Sequence, residues 1–138
     1  MLSAVVDLAS HPLEHVRVGD CLSSTLLTCD GDASLTEVAR LLSQHRVHAL
    51  LVGDHSISVV TDRDVIAAIG PGRTVYARDI AVEALTVPAS ASLRQAAMLL
   101  TQHHATHLIA VDEAAGRPVG ILSDSDILAV YAAIGSAA

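Results

Sequence analysis

The chain has 138 residues, enough for one core of ordinary size, and a formal charge of −7. No basic stripe is present, which argues against binding a phosphate backbone. Apolar residues make up 51%, yet the only aromatics are Tyr76 and Tyr131, so the core must be Ala, Val, Leu and Ile, and a base-stacking platform is disfavoured.

Protonating all eight histidines would move the net charge from −7 to +1, so the surface can change character in mild acid. Cys21 and Cys29 lack CxxC spacing and are expected to be reduced and structural. The stretch MLSAVVDLASHPLEHV has no basic start and carries Asp7 inside its apolar part, unlike a signal peptide. No apolar run reaches membrane-spanning length. A cytoplasmic location is expected.

In chain order the same elements occur twice. The segment ASLTEVARLLSQHRVHALLVGD (33–54) aligns without a gap to ASLRQAAMLLTQHHATHLIAVD (91–112), and SVVTDRDVIAAI is matched by VGILSDSDILAV. Each copy begins with a short extended run, TLLTC or ALTVP. Ser34 then opens a helix with Glu37 three residues on, and Ser92 does so with Gln95, both fitting a capping box. Leu35, Val38, Ala39, Leu41 and Leu42 mark the apolar face of the first helix. Two apolar runs follow in each copy, HALLVG with ISVVT and HLIAVD with PVGILS. Each pair reads as a hairpin around turn material, Gly53-Asp54-His55 or 112–118. A second helix is expected over 62–69 and over 124–134, with GPGR (70–73) as the linker.

The sequence thus predicts a mixed α/β fold of two β-α-β-β-α halves. Each is too small to bury its sheet alone, so they are expected to pack sheet to sheet about a pseudo-twofold axis, with two equivalent clefts. The expected boundaries are 12–70 and 74–135, after an N-terminal segment 1–11.

The doubled order, and the apolar-apolar-[Thr/Ser]-x-x-Asp signature closing each copy, resemble the CBS (cystathionine β-synthase) domain. The whole chain resembles one tandem pair, a Bateman module. In such pairs the hydroxyl and Asp of the signature contact the phosphate and ribose of an adenine nucleotide. The resemblance implies one cleft with Thr61 and Asp64, a base-side wall of Thr28, Cys29, His48 and Leu50, and Arg63 within reach of a phosphate. It implies another with Ser123 and Asp126, walled by Thr86, Val87, Thr106 and Leu108. There Gly120 stands where the family has the glycine that lets backbone approach ligand; the first copy has Ser58. The Pro common in the first hairpin strand is replaced by Leu51 and Ile109.

Elementary chemistry supports the same site: a helix N-terminus suits an anion, a hydroxyl can donate to phosphate, and a carboxylate can accept two ribose hydroxyls. Thr-x-x-Asp and Ser-x-x-Asp are also plain capping boxes, which need no ligand.

Three functional readings follow. The first is a non-enzymatic sensor of AMP, ADP, ATP or S-adenosylmethionine, needing no cofactor. It would act as a homodimer through the apolar second helices and signal by population shift to a separate effector protein, with no role for nucleic acid or membrane. The second is a ligand-free dimeric scaffold. The third is a metal or pH sensor built on His45, His48, His103, His104 and His107, a set with an HxxH spacing at 45–48 that recurs at 104–107 but no further ligand motif. No nucleophile elbow or Gly-rich phosphate loop supports catalysis.

Overall fold

The computed structural model describes residues 11–22, 26–53, 57–70, 72 and 74–137. Expectations that fall on 1–10, on Thr25, on Asp54 and His55, and on Pro71 and Arg73 lie outside that set.

The first repeat forms β1 (Thr28–Cys29), α1 (Leu35–His45), β2 (Ala49–Val52), β3 (Ser58–Thr61) and α2 (Asp62–Ala68). A short helix α3 (Ala77–Ile80) and a strand β4 (Val82–Glu83) come next. The second repeat is β5 (Thr86–Pro88), α4 (Leu93–Gln102), β6 (His107–Asp112), β7 (Arg117–Ser123) and α5 (Asp124–Ala137). The predicted β-α-β-β-α order is therefore present twice. The last helix runs to Ala137, past the expected end at 134. Neither α3 nor β4 was expected, since elements of four and two residues are too short to show a period.

Local chemistry sets these boundaries. At α1 the Ser34 hydroxyl accepts from Glu37 N–H at 3.1 Å while the Glu37 carboxylate accepts from Ser34 N–H, a complete capping box. At α4 the Ser92 hydroxyl accepts from Gln95 N–H at 3.1 Å, and among the described residues no return bond from Gln95 forms. Both first helices are followed by a left-handed residue, Arg46 with φ 54° and His104 with φ 50°. Each costs roughly 1–2 kcal/mol without glycine, yet the same reversal into the hairpin is kept in both copies.

Two units result, 24–84 and 1–23 with 85–138. In the first, the sheet order is β1-β2-β3-β4, with β1 parallel to β2 and the remaining pairs antiparallel. In the second the order is β5-β6-β7, again parallel and then antiparallel, with an irregularity at Ala110/Val111 that seats Pro118 where regular pairing breaks.

Residues 16–22, which precede the first repeat, fold onto the second. Val18 N–H donates to Ala91 O and Gly19 N–H to Ala89 O, each at 2.9 Å, and Leu93 N–H donates to Val16 O at 2.8 Å. Residues 75–81, which precede the second repeat, clasp the first in the same way: Ala77 N–H donates to Ala33 O at 2.9 Å and Arg78 N–H to Gly31 O at 2.8 Å. The repeated unit thus extends upstream, to VRVGDCL and VYARDIA, with the leading segments exchanged.

On the helix side of each sheet lies a core. Val38, Leu42, Leu50, Val52, Val60 and Val65 anchor one; Val18, Val87, Leu93, Leu108, Leu122 and Ile127 anchor the other. Burying each such side chain is worth about 1.5–3 kcal/mol. Leu51, Val59, Ile109 and Ile121 are buried as well, outside both clusters, so β2, β3, β6 and β7 are buried on both faces. Among the described residues no helix is long and apolar enough to cross a membrane.

Candidate functional site

Both Thr/Ser-x-x-Asp signatures sit at a strand-to-helix junction, as expected, and both fold as capping boxes. Thr61 N–H donates to the Asp64 carboxylate at 2.8 Å, and the Thr61 hydroxyl lies 3.0 Å from the same oxygen. Asp64 N–H donates back to that hydroxyl at 3.3 Å. In the second unit Ser123 N–H donates to the Asp126 carboxylate at 2.8 Å and Asp126 N–H to the Ser123 hydroxyl at 3.2 Å. All four residues are half-buried, so each hydroxyl–carboxylate pair is held in a fixed rotamer at the surface of its unit.

The first helical residue of each box is anchored identically. Asp62 N–H donates to His48 O and Asp124 N–H to Thr106 O, each at 3.0 Å, so the N-cap and the start of the first hairpin strand stand side by side. Thr28 and Thr86 lie exposed on the short parallel strands β1 and β5, opposite Leu51 and Ile109. Arg63 is exposed one residue inside α2; Ser125 occupies that place in α5.

Several expected wall residues are elsewhere. Leu50, Leu108 and Val87 are fully buried in the helix-side cores and present no surface to a ligand. Side chains alternate along a strand, and these three point at the helices. Gly120 is buried too, and the space its side chain would take is filled by Leu22, so no backbone opening exists there. Cys29 and His48 line different cavities. His48 faces a groove of about 450 Å³ between α1 and α2, where its Nδ1 meets the Asp62 carboxylate at 2.9 Å. Cys29 lines a cavity of about 420 Å³ with Asp30, Asp32 and Glu37, an environment that repels anions.

The histidines do not assemble. Among the described residues no three His, Cys, Asp or Glu side chains stand close enough to share a metal ion. His48 is engaged by Asp62, and His107 lies 2.9 Å from the Thr106 hydroxyl.

Two residues that the sequence reading did not place at a site, Cys21 and Leu22, pack on the second unit. Leu22 covers Gly120, and Cys21 lies near enough to Asp126 to feel its charge. Burial, then Asp20, then Asp126, push the Cys21 thiol above its ordinary value. Burial, then Asp30 and Glu37, do the same to Cys29. The signal for Cys21 and Leu22 was the upstream extension of the repeat, Val16 and Asp20 matching Val75 and Asp79.

Comparison with known proteins agrees with this architecture. The CBS domain family model matches residues 18–71 and 77–133. A CBS domain-containing protein of Bacillus subtilis, YhcV, is 28% identical over 116 residues, covering 80% of this chain and 81% of that one. An uncharacterised protein of Methanocaldococcus jannaschii, MJ0450, is 27% identical over 114 residues; the match covers 75% of this chain and 60% of that protein's length. Among solved structures, the CBS domain pair of protein MJ0100, in complex with 5'-methylthioadenosine and S-adenosyl-L-methionine, superposes with a TM-score of 0.77 at 21% identity, covering 86% of this chain and 97% of that one. The CBS domain protein PAE2072 from Pyrobaculum aerophilum, complexed with AMP, does so at 0.72 and 25% identity, covering 80% and 89%. With two copies matched over most of its length, this chain belongs to the CBS domain family.

Proposed function

We propose that the chain is a non-catalytic regulatory module that binds an adenine nucleotide or a related adenosyl compound. The observation that carries this reading is the doubled arrangement at 61–64 and 123–126. In each unit a hydroxyl and a carboxylate are fixed at a strand-to-helix junction beside the start of the first hairpin strand. Support comes from relatives of the same fold that hold AMP, 5'-methylthioadenosine or S-adenosyl-L-methionine. Thr61, Asp64 and Arg63 would serve one ligand, with Thr28; Ser123 and Asp126 would serve the other, with Thr86 and Thr106. A phosphate would accept hydrogen bonds from the hydroxyl and the first helical N–H groups, and ribose hydroxyls would donate to the carboxylate. Ligand would then shift the population of one arrangement over another and change the surface shown to a separate effector protein in the cytoplasm.

The module would work as a homodimer. Ile66 and Ile69 on and just after α2, Leu128 and Tyr131 on α5 and Met98 on α4 are exposed apolar residues on the outer helices.

A second reading, the ligand-free scaffold, is favoured by two observations: both carboxylates already accept the N-cap N–H, and Leu22 fills the site beside Gly120. Thermal unfolding with AMP, ADP, ATP and S-adenosylmethionine separates the two, using wild type, Asp64→Asn and Asp126→Asn. Ligand at a hundred times its Kd adds about 2.7 kcal/mol, a shift of several degrees. A shift abolished by one Asp variant supports sensing and names the working unit. No shift with any of the four, with stability lost in both variants, leaves the scaffold.

A further inference from the structure

The strip 16–22 that clasps the second unit is tied at its upstream end to a histidine ring. His11 is the N-cap of a tight turn, Pro12–His15, and its Nδ1 accepts from Leu13 N–H at 3.1 Å. Leu13 is 5% exposed and packs in the core of that unit, so its N–H needs a protein acceptor. From Leu13 a run of backbone bonds leads into the clasp. Val16 N–H donates to Leu13 O at 3.5 Å, Leu93 N–H to Val16 O at 2.8 Å, and Val18 N–H to Ala91 O at 2.9 Å. The ring is the outermost link of a chain that reaches the first residue of α4.

That link exists in one protonation state. A neutral imidazole keeps one ring nitrogen as an acceptor, whereas a charged one carries a proton on both and accepts nothing. Around the ring, among the described residues, Arg94 of α4 and Tyr131 of α5 line the same groove, and Glu14 and the exposed His15 belong to the turn itself. The carboxylate of this set, on Glu14, is held by Arg94 at 3.2 Å rather than by Leu13 N–H.

We propose that His11 is a pH-operated latch: the neutral ring fixes the turn 12–15 and, through Val16, the strip 16–22 on the second unit, and the charged ring releases them. Tight clasping then belongs to neutral and alkaline solution and is lost as the pH falls through the range in which imidazoles charge. The matching strip on the first unit is held by a contact with no imidazole in it, Tyr76 N–H to the Asp79 carboxylate at 2.8 Å.

The test is amide hydrogen exchange by NMR on the full chain at about pH 7.5 and about pH 5.5, each rate compared with its intrinsic value at that pH. Protection of Val18 and Gly19, whose N–H groups bond Ala91 and Ala89, is expected to fall about tenfold in the acid sample, the scale of one lost hydrogen bond. Protection of Ala77 and Arg78, the corresponding pair on the first unit, should hold. His11→Asn keeps a side-chain acceptor at the N-cap and cannot charge, so Val18 and Gly19 should stay protected at both pH values; in His11→Ala they should be weakly protected at both. If either variant fails to fold, the nitrogen NMR shift of His11 Nδ1 in neutral wild type decides: a bare acceptor nitrogen is expected, and a protonated one overturns the latch. Equal protection of wild type at both pH values overturns it as well. So does an equal fall in His11→Asn, or a fall at Ala77 and Arg78 as large as that at Val18 and Gly19.

Discussion

The side chain of Leu22 stands directly over Gly120: a Cβ placed on Gly120 would lie 2.7 Å from Leu22 Cδ1 and 3.3 Å from its Cβ and Cγ. Gly120 lies buried in β7, paired with Ala110, so a residue upstream of the first repeat completes the packing of the second. Gly120→Ala is expected to cost about 1–3 kcal/mol through overpacking. Combining it with Leu22→Ala should return part of that loss, a coupling above about 0.5 kcal/mol in a urea-unfolding cycle. Strict additivity would mean that the two residues do not share this space.

Capping and binding by the Thr61 hydroxyl can be separated. Asn is as good an N-cap as Thr but has no hydroxyl, so Thr61→Asn should unfold within about 0.5 kcal/mol of wild type, and Thr61→Ala about 1 kcal/mol below it. Any nucleotide-induced stabilisation carried by this unit should fall in both variants. Its survival in Thr61→Asn at full strength would assign the hydroxyl to the helix alone.

The burial of Leu50 and Leu108 gives them a role in stability and none in ligand contact. Leu50→Ala and Leu108→Ala should each cost about 2–5 kcal/mol in chemical denaturation. The folded fraction of either variant should keep the wild-type response to AMP in isothermal titration. A selective loss of AMP affinity in Leu50→Ala, with stability intact, would return that residue to the base-side wall.

Both thiols carry raised values, so the folded state holds their protons more tightly than the unfolded chain does. The stability this contributes is complete below the ordinary value of 9.0 and is lost as pH rises through the folded values above it. Iodoacetamide should therefore alkylate the folded protein more slowly than the urea-unfolded chain at pH 8, and unfolding should grow easier above about pH 9. Equal alkylation rates at pH 8 would contradict the burial of either sulfur.

The order of elements could be read from the sequence because helix starts and hairpins announce themselves locally. Ser34 with Glu37 and Thr61 with Asp64 close the capping boxes their spacing implies. The face of a strand was not readable in the same way. ALLV at 49–52 is buried throughout and has no polar alternation, so nothing in the sequence tells which of Leu50 and Leu51 meets the helices. The groups that share a cavity with Cys29, and the residue that covers Gly120, depend on tertiary placement of segments without periodicity. The position of the hydroxyls and carboxylates at a strand-to-helix junction was therefore legible, and the faces of the expected wall residues were not.

The exchange of leading segments bears on how such a chain comes apart and how it arose. A cut in GPGR would leave residues 16–22 on one fragment and the repeat they clasp on the other, so neither half would be self-sufficient. A cut on either side of 24–84 would instead release one unit with its own clasp attached. By the same geometry, a lone ancestral repeat could have completed itself only by lending its leading strip to another molecule and borrowing one back. Tandem fusion would turn that trade between molecules into an intramolecular closure, whose yield no longer falls with dilution. Fragments 1–73 and 74–138, mixed at rising concentration, should recover the circular dichroism of the intact chain only as they associate.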